Sequence, residues 1–482
     1  MTMLKLQNSN TSSLSQLVIG LGGIVIGLGV GFLTGVNPLM VSAMIFAVAL
    51  LVSFFAKFEQ AVVALLILRS SLDPLSSMQI PAAFAIGVDL LTLLYVTLKL
   101  LTGQPIKVDK FWWLFAGWVL LQGLWVILLP LGGLGLDGSY ISAAIREWVR
   151  LFSWLMVYLI VMQLKDRVNP KKLISLLFLS LIVPLTAAAM QTFLPQSLLP
   201  PLLVNRTADS LSTNLSRING TLGHPNTFGT FVLLFIGLTN WKLRQTKQRL
   251  TWFLLLGILA FFLVGTKALF IIVMLAIFIL ALIAPKLSLT NLIGGLLLFA
   301  IVIGLFAMTE FGQERLASIT ETPLLNPDMD ISRAILLSKS DGNSFNWRLA
   351  EWFYLLKQWE HSPWLGFGLG TSPFVSHSKL LPHNDYIRAL IEGGIIGIGT
   401  FIVFLGAQIT RLIQLIRSKS ISHSQRQLCE VILAISLALP VGMITENIWS
   451  HTTFFFYWST LMAIAGWDTW DKSDGVDSSG SK

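Results

Sequence analysis

The chain has 482 residues, of which 54% are hydrophobic and 12% are charged, and its mean hydropathy is +0.75. Soluble globular proteins carry about 25% charged residues, so this composition excludes a soluble enzyme. The single cysteine, Cys429, excludes a disulfide framework and a cysteine metal cluster. The formal net charge of +9 would suit a nucleic-acid partner, but the positions of the basic residues favour a membrane-topology signal and no nucleic acid.

Apolar segments of about 20 residues, the length that an α-helix needs to cross a hydrocarbon layer about 30 Å thick, recur along the chain. They predict an all-α fold, a polytopic transmembrane bundle of about 12 to 14 helices. The predicted spans are residues 17–35, 38–56, 58–72, 81–101, 111–131, 142–163, 172–194, 224–240, 250–265, 267–284, 291–309, 386–410, 427–444 and 450–467. The first span has no small-residue cleavage site beside it, so we expect it to be retained and not removed as a signal peptide.

The spans divide the chain into four regions. Residues 1–309 hold the first eleven spans, residues 310–385 form a long extracytoplasmic loop, and residues 386–467 hold the last three spans. Residues 468–482 form a cytoplasmic tail that we expect to be disordered. Loops as long as the second region are usually functional.

Within the long loop, residues 345–361 predict a helix with an apolar face that includes Trp352, Phe353, Leu356 and Trp359. One interpretation is a helix that lies in the membrane interface and is anchored by its tryptophans. The other is an aromatic platform for sugar rings.

Basic residues concentrate in three connections, which fall on the same side of the membrane in a count of fourteen spans. They are Lys165, Arg167, Lys171 and Lys172; Lys242, Arg244, Lys247 and Arg249; and Arg411, Arg417, Lys419 and Arg426. The positive-inside rule makes that side cytoplasmic. Both termini are then predicted to be cytoplasmic, and the long loop is predicted to face outward.

Charge at the rim of a bilayer is costly, so charged residues there are candidate functional sites. Arg146 and Arg150 are four residues apart near the outer end of the sixth span, so they share one helix face, where like charges repel. We expect an anionic group between them or over them. The alternative is that Glu147 pairs with Arg150 while Arg146 extends to the interface.

The stretch 216–226 is polar, is broken by glycine, and leads directly into the predicted span 224–240. It supplies an arginine, free amides at a helix N-terminus and the positive end of a helix dipole, which together suit a phosphate or pyrophosphate. The candidate ligands are Arg217 and Asn226. The alternative is an ordinary helix cap beside a surface arginine.

Two further candidates lie at outer boundaries. Lys267 opens the tenth span, where it either contacts an anion or anchors the helix in the interface. His383 and Asn384 stand where the long loop enters the twelfth span. A histidine at such a boundary is often structural, but the charged residues that follow this one favour a chemical role.

Three groups of residues resemble the motifs of the O-antigen ligase and polymerase family, which comprises bacterial membrane glycosyltransferases. The signature R-x-x-G-T-x-x-x-P-N is resembled by Arg217, Gly220, Thr221, Pro225 and Asn226. An arginine helix followed by a P-x-x-G-x-G-x-G turn is resembled by Arg348, Pro363, Trp364, Gly366, Gly368 and Gly370. A motif that ends in G-x-x-G is resembled by His383, Asn384, Gly394 and Gly397. Arg69 and Asp73 are similar to a more loosely kept turn. The resemblance covers about residues 140 to 465.

The resemblance implies transfer of a glycan from a polyprenyl-diphosphate carrier to a saccharide or lipid-saccharide acceptor, outside the plasma membrane of a bacterium. It implies metal-independent, inverting chemistry with no cofactor. Arg217 and Lys267, with Arg150 and Arg146 as further candidates, would bind the pyrophosphate, and His383 would be the base. Asn384 would orient the histidine or a sugar, and Arg348 would order the loop or contact the pyrophosphate.

One position departs from the family pattern. The family usually carries Ser-Arg between the ninth and tenth spans, and this chain has Thr266-Lys267. A lysine keeps the positive charge but loses the bidentate geometry of a guanidinium.

Two other functions stay open. One is transport of a small anion such as bicarbonate, for which we would expect ionisable residues near the membrane centre and internal repeats. Asp89 is the most isolated deep carboxylate, and the two halves of the chain do not repeat. The other is a structural role in an envelope assembly, which does not require the outward-facing arginines.

Overall fold

The computed structural model describes residues 51–128, 138–204, 217–286, 328–340 and 344–470, together with isolated positions outside these ranges. Across this part of the chain the secondary structure is helical throughout, with no β-strand, which confirms the predicted all-α bundle. The α-helices are α1 (Phe58–Leu68), α2 (Ile80–Leu101), α3 (Lys110–Ile127), α4 (Gly138–Gln163), α5 (Pro170–Leu177), α6 (Ile182–Phe193), α7 (Pro225–Leu243), α8 (Arg249–Gly265), α9 (Leu269–Ile283), α10 (Ile331–Ser340), α11 (Ser344–Trp359), α12 (Ser372–Val375), α13 (Asp385–Arg417), α14 (His423–Gly442) and α15 (Thr452–Ala465).

The predicted spans begin and end within about four residues of the helices wherever the structure describes them, except that α13 continues to Arg417, beyond the predicted end at residue 410. Spans 17–35 and 291–309 fall almost entirely outside the described residues, as do most of 38–56, much of the loop before α10 and the tail from residue 471. Among the described helices, α2, α3, α13 and the continuous segment Pro170–Phe193 are long and apolar enough to cross a membrane. Helices α8, α9 and α15 are apolar but shorter. The chain is therefore a polytopic membrane protein by length and composition.

The centre of the bundle is α15, which packs against α4, α7 and α14. Every residue from Thr453 to Ala465 is buried, including the bulky Tyr457 and Trp458. A helix that is apolar on all sides belongs to the interior of a bundle. Helix α7 is buried almost as completely, and it lies between α8, α9 and α14.

The bundle has two distinct ends. At one, which we call the loop end, the segments 217–224, 266–268 and 443–451 meet, and the Nε of Arg217 donates to the Thr266 carbonyl at 2.9 Å. At the other, the basic end, Lys165 pairs with Asp468 at 2.9 Å and Lys242 donates to Ser175. The three basic connections of the sequence are thus on the side opposite to the loop end.

A glycine-rich turn, residues 363–370, packs against a kink in α13 at the loop end. Gly394 has φ 63° and ψ −160°, so the helix is interrupted there. The freed amides of Ile395 and Ile396 donate to the carbonyls of Pro363 and Trp364, at 2.9 and 3.3 Å. A Cβ on Gly394 would overlap the carbonyl group of Trp364, so only glycine allows the two backbones to approach this closely.

Replacing Gly394 with alanine should therefore destabilise the protein. The backbone conformation at this position costs a non-glycine residue about 1–3 kcal/mol, and the clash with Trp364 adds to that cost. Thermal unfolding in detergent, followed by tryptophan fluorescence, measures the effect. Gly399→Ala is the matched control because the same helix leaves open space there. Equal melting temperatures for the two variants would contradict this account of the kink.

Candidate active site

Hydrogen bonds from backbone amides to a glutamine side chain hold the segment that precedes α7 in place. The side-chain carbonyl of Gln191, on α6, accepts from the amides of Asn219 and Gly220 at 3.1 and 2.8 Å. Gly220 has φ 54°, and a Cβ there would lie 2.8 Å from the Pro184 carbonyl oxygen. This position of the first motif therefore requires glycine, because its backbone lies close to that of Pro184. The contact sets the position of Arg217, three residues earlier.

Arg217 links the start of α7 to the turn between α8 and α9. Its Nη2 donates to the Asn226 side-chain oxygen at 2.7 Å, while its Nε holds the Thr266 carbonyl. Asn226 is buried at the first turn of α7, and its backbone amide donates to Nδ1 of His224, the residue that caps the helix. The first motif and the Thr266-Lys267 turn are therefore brought together at the loop end.

Glu446 connects this arginine to the histidine of the third motif. It lies in the connection between α14 and α15 and is 4% exposed. One carboxylate oxygen accepts from the Asn226 side-chain amide, and the other lies 3.3 Å from Nδ1 of His383 and accepts from the Asn447 amide at 3.0 Å. Arg217 and His383, distant in the sequence, are therefore separated by only two side chains.

The Glu446 carboxylate is ionised in this setting. Burial favours the neutral acid, but the hydrogen bond and charge of His383, with the charges of His451 and Arg348, lower the pKa of Glu446 to about 2. His451, which contacts Thr230 at 3.0 Å, responds in the opposite way: burial lowers its pKa to about 4. The site therefore combines a fixed negative charge with a neutral buried histidine near pH 7.

Lys267 and His383 share an unusual backbone conformation, since both have φ 51°. The left-handed region is uncommon for residues other than glycine, and it is often held in place at functional sites. The side chain of Lys267 is exposed, and partial burial together with the charge of Arg217 lowers its pKa. His383 is 25% exposed, and its ring contacts that of Trp347 on α11. Both side chains are thus accessible from outside the bundle.

Asn384 and Arg348 have partners within the protein. Asn384 caps α13, where its side-chain oxygen accepts from the amides of Tyr386 and Ile387, each at 3.0 Å. Arg348 on α11 donates to the Thr445 carbonyl at 3.4 Å, next to Glu446. It therefore links the long loop to the loop end.

The predicted helix 345–361 is observed as α11. Trp352 donates to the Pro382 carbonyl at 2.6 Å, and Trp359 donates to the Pro363 carbonyl at 3.1 Å. Trp359 thus fastens the helix to the glycine-rich turn, and Trp352 fastens it to the residue that precedes His383. Phe353 and Leu356, on the same predicted face, are exposed.

A second group of charged side chains, almost entirely buried, lies beside the contacts of Glu446. Arg388 on α13 pairs with Glu147 at 2.8 Å and with Glu392 at 3.0 Å, and it donates to Ser450 at 2.9 Å. Glu147 also pairs with Arg150. We call Glu147, Arg150, Arg388 and Glu392 the arginine cluster. Glu392 in turn accepts from the Gly370 amide and the Ser372 hydroxyl, so the cluster also holds the glycine-rich turn.

Arg146 and Arg150, which the sequence places on one helix face, have different surroundings in the structure. Arg150 makes the pair with Glu147 that was the alternative interpretation, and its guanidinium lies 5.6 Å from the Trp154 ring. Arg146 is exposed and donates to the Ser142 carbonyl of its own helix. The charge of Arg150 is nevertheless one of those that lower the pKa of His451, so this arginine lies near the Glu446 connection.

A small cavity of about 40 Å³ opens beside the arginine cluster and not at His383. Its walls include Gln122, Trp125, Glu147, Asp385, Arg388 and Trp449. Within the described ranges no group of three or more His, Cys, Asp or Glu side chains is arranged to hold a metal ion.

Glu446 is the residue that the sequence analysis missed. It is the acidic residue of the short connection between the last two predicted spans, at the outer boundary. The rule that marks charged residues at a membrane rim as candidates applies to it as much as to His383. Nothing in its spacing, however, connects it to Asn226, which lies 220 residues earlier.

Comparison with known proteins supports the motif analysis. Residues 252–402, about a third of the chain, match the family model described as O-antigen ligase. The resemblance to that family is therefore confirmed over this range. The match includes Lys267, Arg348 and His383; Arg217, Asn226 and Glu446 lie outside it and are joined to it by the contacts described above. A search of curated proteins found no match to the chain.

Replacing Arg388 with methionine should strongly destabilise the protein, because it leaves Glu147 and Glu392 buried with less compensation. Breaking a buried ion pair from one side costs about 3–5 kcal/mol. Arg146→Met is the matched control, since this exposed arginine should contribute no more than about 0.5 kcal/mol. Thermal unfolding of both variants in detergent checks the difference. Equal losses would show that the arginine cluster does not carry the stability assigned to it.

Proposed function

We propose that this chain, which carries an O-antigen ligase match over residues 252–402, transfers a glycan from a polyprenyl-diphosphate carrier to a saccharide or lipid-saccharide acceptor. The observation that carries the proposal is the chain of contacts from Arg217 through Asn226 and Glu446 to His383. It sets a cationic group suited to a pyrophosphate beside an imidazole suited to accept a proton. No cofactor takes part in the proposed reaction.

The donor side of the reaction requires positive charge near the leaving group. When the bond from the anomeric carbon to the phosphate oxygen breaks, its electron pair stays on the diphosphate. Arg217 and Lys267 stabilise the charge that develops there, and this raises the rate because it acts more strongly in the transition state than in the ground state. The mutual effect of their charges, seen in the lowered pKa of Lys267, would be relieved by a bound anion.

The acceptor side requires a base. His383 has its Nδ1 on Glu446, so Nε2 is the nitrogen that takes the proton from the acceptor hydroxyl as its oxygen attacks the anomeric carbon. One displacement from the face opposite to the leaving diphosphate inverts the anomeric configuration, and this scheme is metal-independent. His383 is partly exposed, so the proton can pass on to water.

The orientation follows from the basic end. Because Lys165, Lys242 and Arg244 lie at the end opposite to His383, the positive-inside rule makes the loop end extracytoplasmic. We propose that the protein resides in a bacterial plasma membrane with this site facing outward. A lipid carrier would then present its diphosphate at the membrane surface, level with Arg217.

Replacing His383 with alanine in the native host should stop transfer and leave the donor unused. Loss of a general base lowers a rate by about 10²–10⁴-fold. Lipid extracts should therefore accumulate the polyprenyl-linked saccharide, as measured by mass spectrometry. The matched control is His423→Ala, which removes an exposed histidine at the basic end.

Two outcomes would overturn the proposal. Lipid extracts of the His383→Ala strain that match those of the native strain would remove the base from the mechanism. If the same strain also showed altered uptake of a small anion such as bicarbonate, transport would replace transfer as the function.

Lys267→Met should weaken transfer because it removes the charge beside Arg217, whereas Lys267→Arg should keep most of the activity. Arginine retains the charge and adds a bidentate geometry for the pyrophosphate. The amount of glycan assembled by each strain, with equal protein in the membrane, measures the difference. Normal assembly with Lys267→Met would show that this lysine does not contact the donor.

A further inference from the structure

We propose that Glu446 is a positioning residue that holds His383 in the tautomer with the proton on Nδ1 and fixes Asn226, and through it Arg217, relative to that base. The tautomer itself is a property of the folded chain. Its catalytic consequence rests on the function proposed above.

The geometry assigns a separate task to each carboxylate oxygen. Oε1 lies 3.3 Å from Nδ1 of His383 and also accepts from the Asn447 amide at 3.0 Å. Oε2 accepts from Nδ2 of Asn226. Because Glu446 is 4% exposed, water does not compete for these oxygens as it would at a surface. The side chain therefore has one arrangement that satisfies all three donors.

The first task determines the chemistry of the histidine. An ionised carboxylate can only accept hydrogen bonds, so a neutral imidazole that faces it must present Nδ1–H. Nε2 then carries the lone pair. The left-handed backbone of His383 and the contact with Trp347 restrict where that lone pair can point.

The second task extends the effect to the donor side. With its NH₂ group on Glu446, Asn226 presents its oxygen to Arg217, which binds it at 2.7 Å. Rotation of the amide would bring the NH₂ group against the guanidinium, which offers only donors. A single carboxylate thus determines the orientation of the amide that holds Arg217.

Several charged and titratable groups face this carboxylate or its partners. They are His383, His451, His224, Arg348, Arg150, Arg217 and the acidic Asp385, which come from the connections before α7, α13 and α15 and from helices α4, α11 and α13. Most of these groups are cationic or become so on protonation. The carboxylate therefore also stabilises the imidazolium that forms when His383 accepts a proton.

Glutamine is the informative substitution at this position. The side-chain amide that Glu446→Gln introduces has one oxygen and one NH₂ group, so it cannot accept from both Asn226 and His383. If its oxygen serves Asn226, its NH₂ group faces His383 and favours the tautomer with the proton on Nε2. Aspartate keeps two acceptor oxygens on a shorter side chain.

The test is nitrogen NMR of the full chain in lipid nanodiscs, with ¹⁵N in the imidazole rings of its six histidines. The signals that His383→Ala removes are those of His383. At a pH where this ring is neutral, the native protein should show protonated Nδ1, Glu446→Gln should show protonated Nε2 or a mixture, and Glu446→Asp should restore protonated Nδ1. An unchanged melting temperature in the same nanodiscs, followed by tryptophan fluorescence, shows that each variant is folded.

The activity arm uses membranes of the native host, which contain the endogenous lipid-linked donor. Glu446→Gln should reduce transfer by about 10²–10⁴-fold, since the neutral ring has the wrong tautomer and the imidazolium that forms in the reaction has lost its counter-charge. Glu446→Asp should recover part of the rate. A purely structural role would lower the amount of folded protein without lowering the rate per folded molecule and without changing the tautomer of His383.

The two proposals fail separately. Protonated Nδ1 in both the native protein and Glu446→Gln would refute the positioning role even if His383→Ala abolishes transfer. Conversely, normal transfer by His383→Ala would refute the proposed function, whereas the tautomer in the spectrum would still report on Glu446.

Discussion

A buried carboxylate with two occupied oxygens is the constraint on which the loop end depends. Taking a charge out of water costs several kcal/mol unless hydrogen bonds and opposite charges replace the lost solvent. Glu446 meets that condition only when three segments are present at once: the start of α7 with Asn226, the left-handed turn at His383, and the connection that carries Glu446 itself. If any one segment is out of place, the buried carboxylate lacks compensation. The cost of the buried charge therefore favours the correctly assembled loop end.

Close contact between two backbone segments also holds the site in place. The glycine-rich turn and the kinked start of α13 exchange hydrogen bonds across glycines that cannot be replaced without a clash, and Glu392 joins this contact to the arginine cluster. Asn384, the cap of α13, follows His383 directly. His383, the proposed base, thus directly precedes a helix whose first three turns are fixed by buried ion pairs and backbone contacts. Such support is what a catalytic group needs to keep its geometry.

Much of this arrangement follows from sequence pattern. Helix positions were predictable because apolar runs of a fixed length have one physical interpretation in a membrane. Arg217, Lys267 and His383 could be identified as candidate site residues because charge at a rim is costly. The contacts that these residues and helices make with distant segments were not predictable. The kink at Gly394 lies inside an apolar run that looks continuous, and α10 has too few apolar residues to stand out. Arg146 and Arg150 share a helix face by spacing, but Glu147, which also pairs with Arg388, holds Arg150 in the interior. These outcomes depend on contacts between segments hundreds of residues apart.

The placement of charge along the bundle bears on the choice between transfer and transport. A carrier that moves an anion across a membrane needs its binding groups near the centre, where two conformations can expose them in turn. Here the groups that converge, from Arg217 to His383, lie in connections between helices and at helix starts, and Asp89 is occupied by a hydrogen bond from Ser153 at 2.6 Å. A polyprenyl carrier keeps its chain in the bilayer and its diphosphate at the surface. If the chain transfers a glycan as proposed, cations and an imidazole at the end of the bundle would match the headgroup of such a carrier, because the reacting bond would lie where the membrane ends.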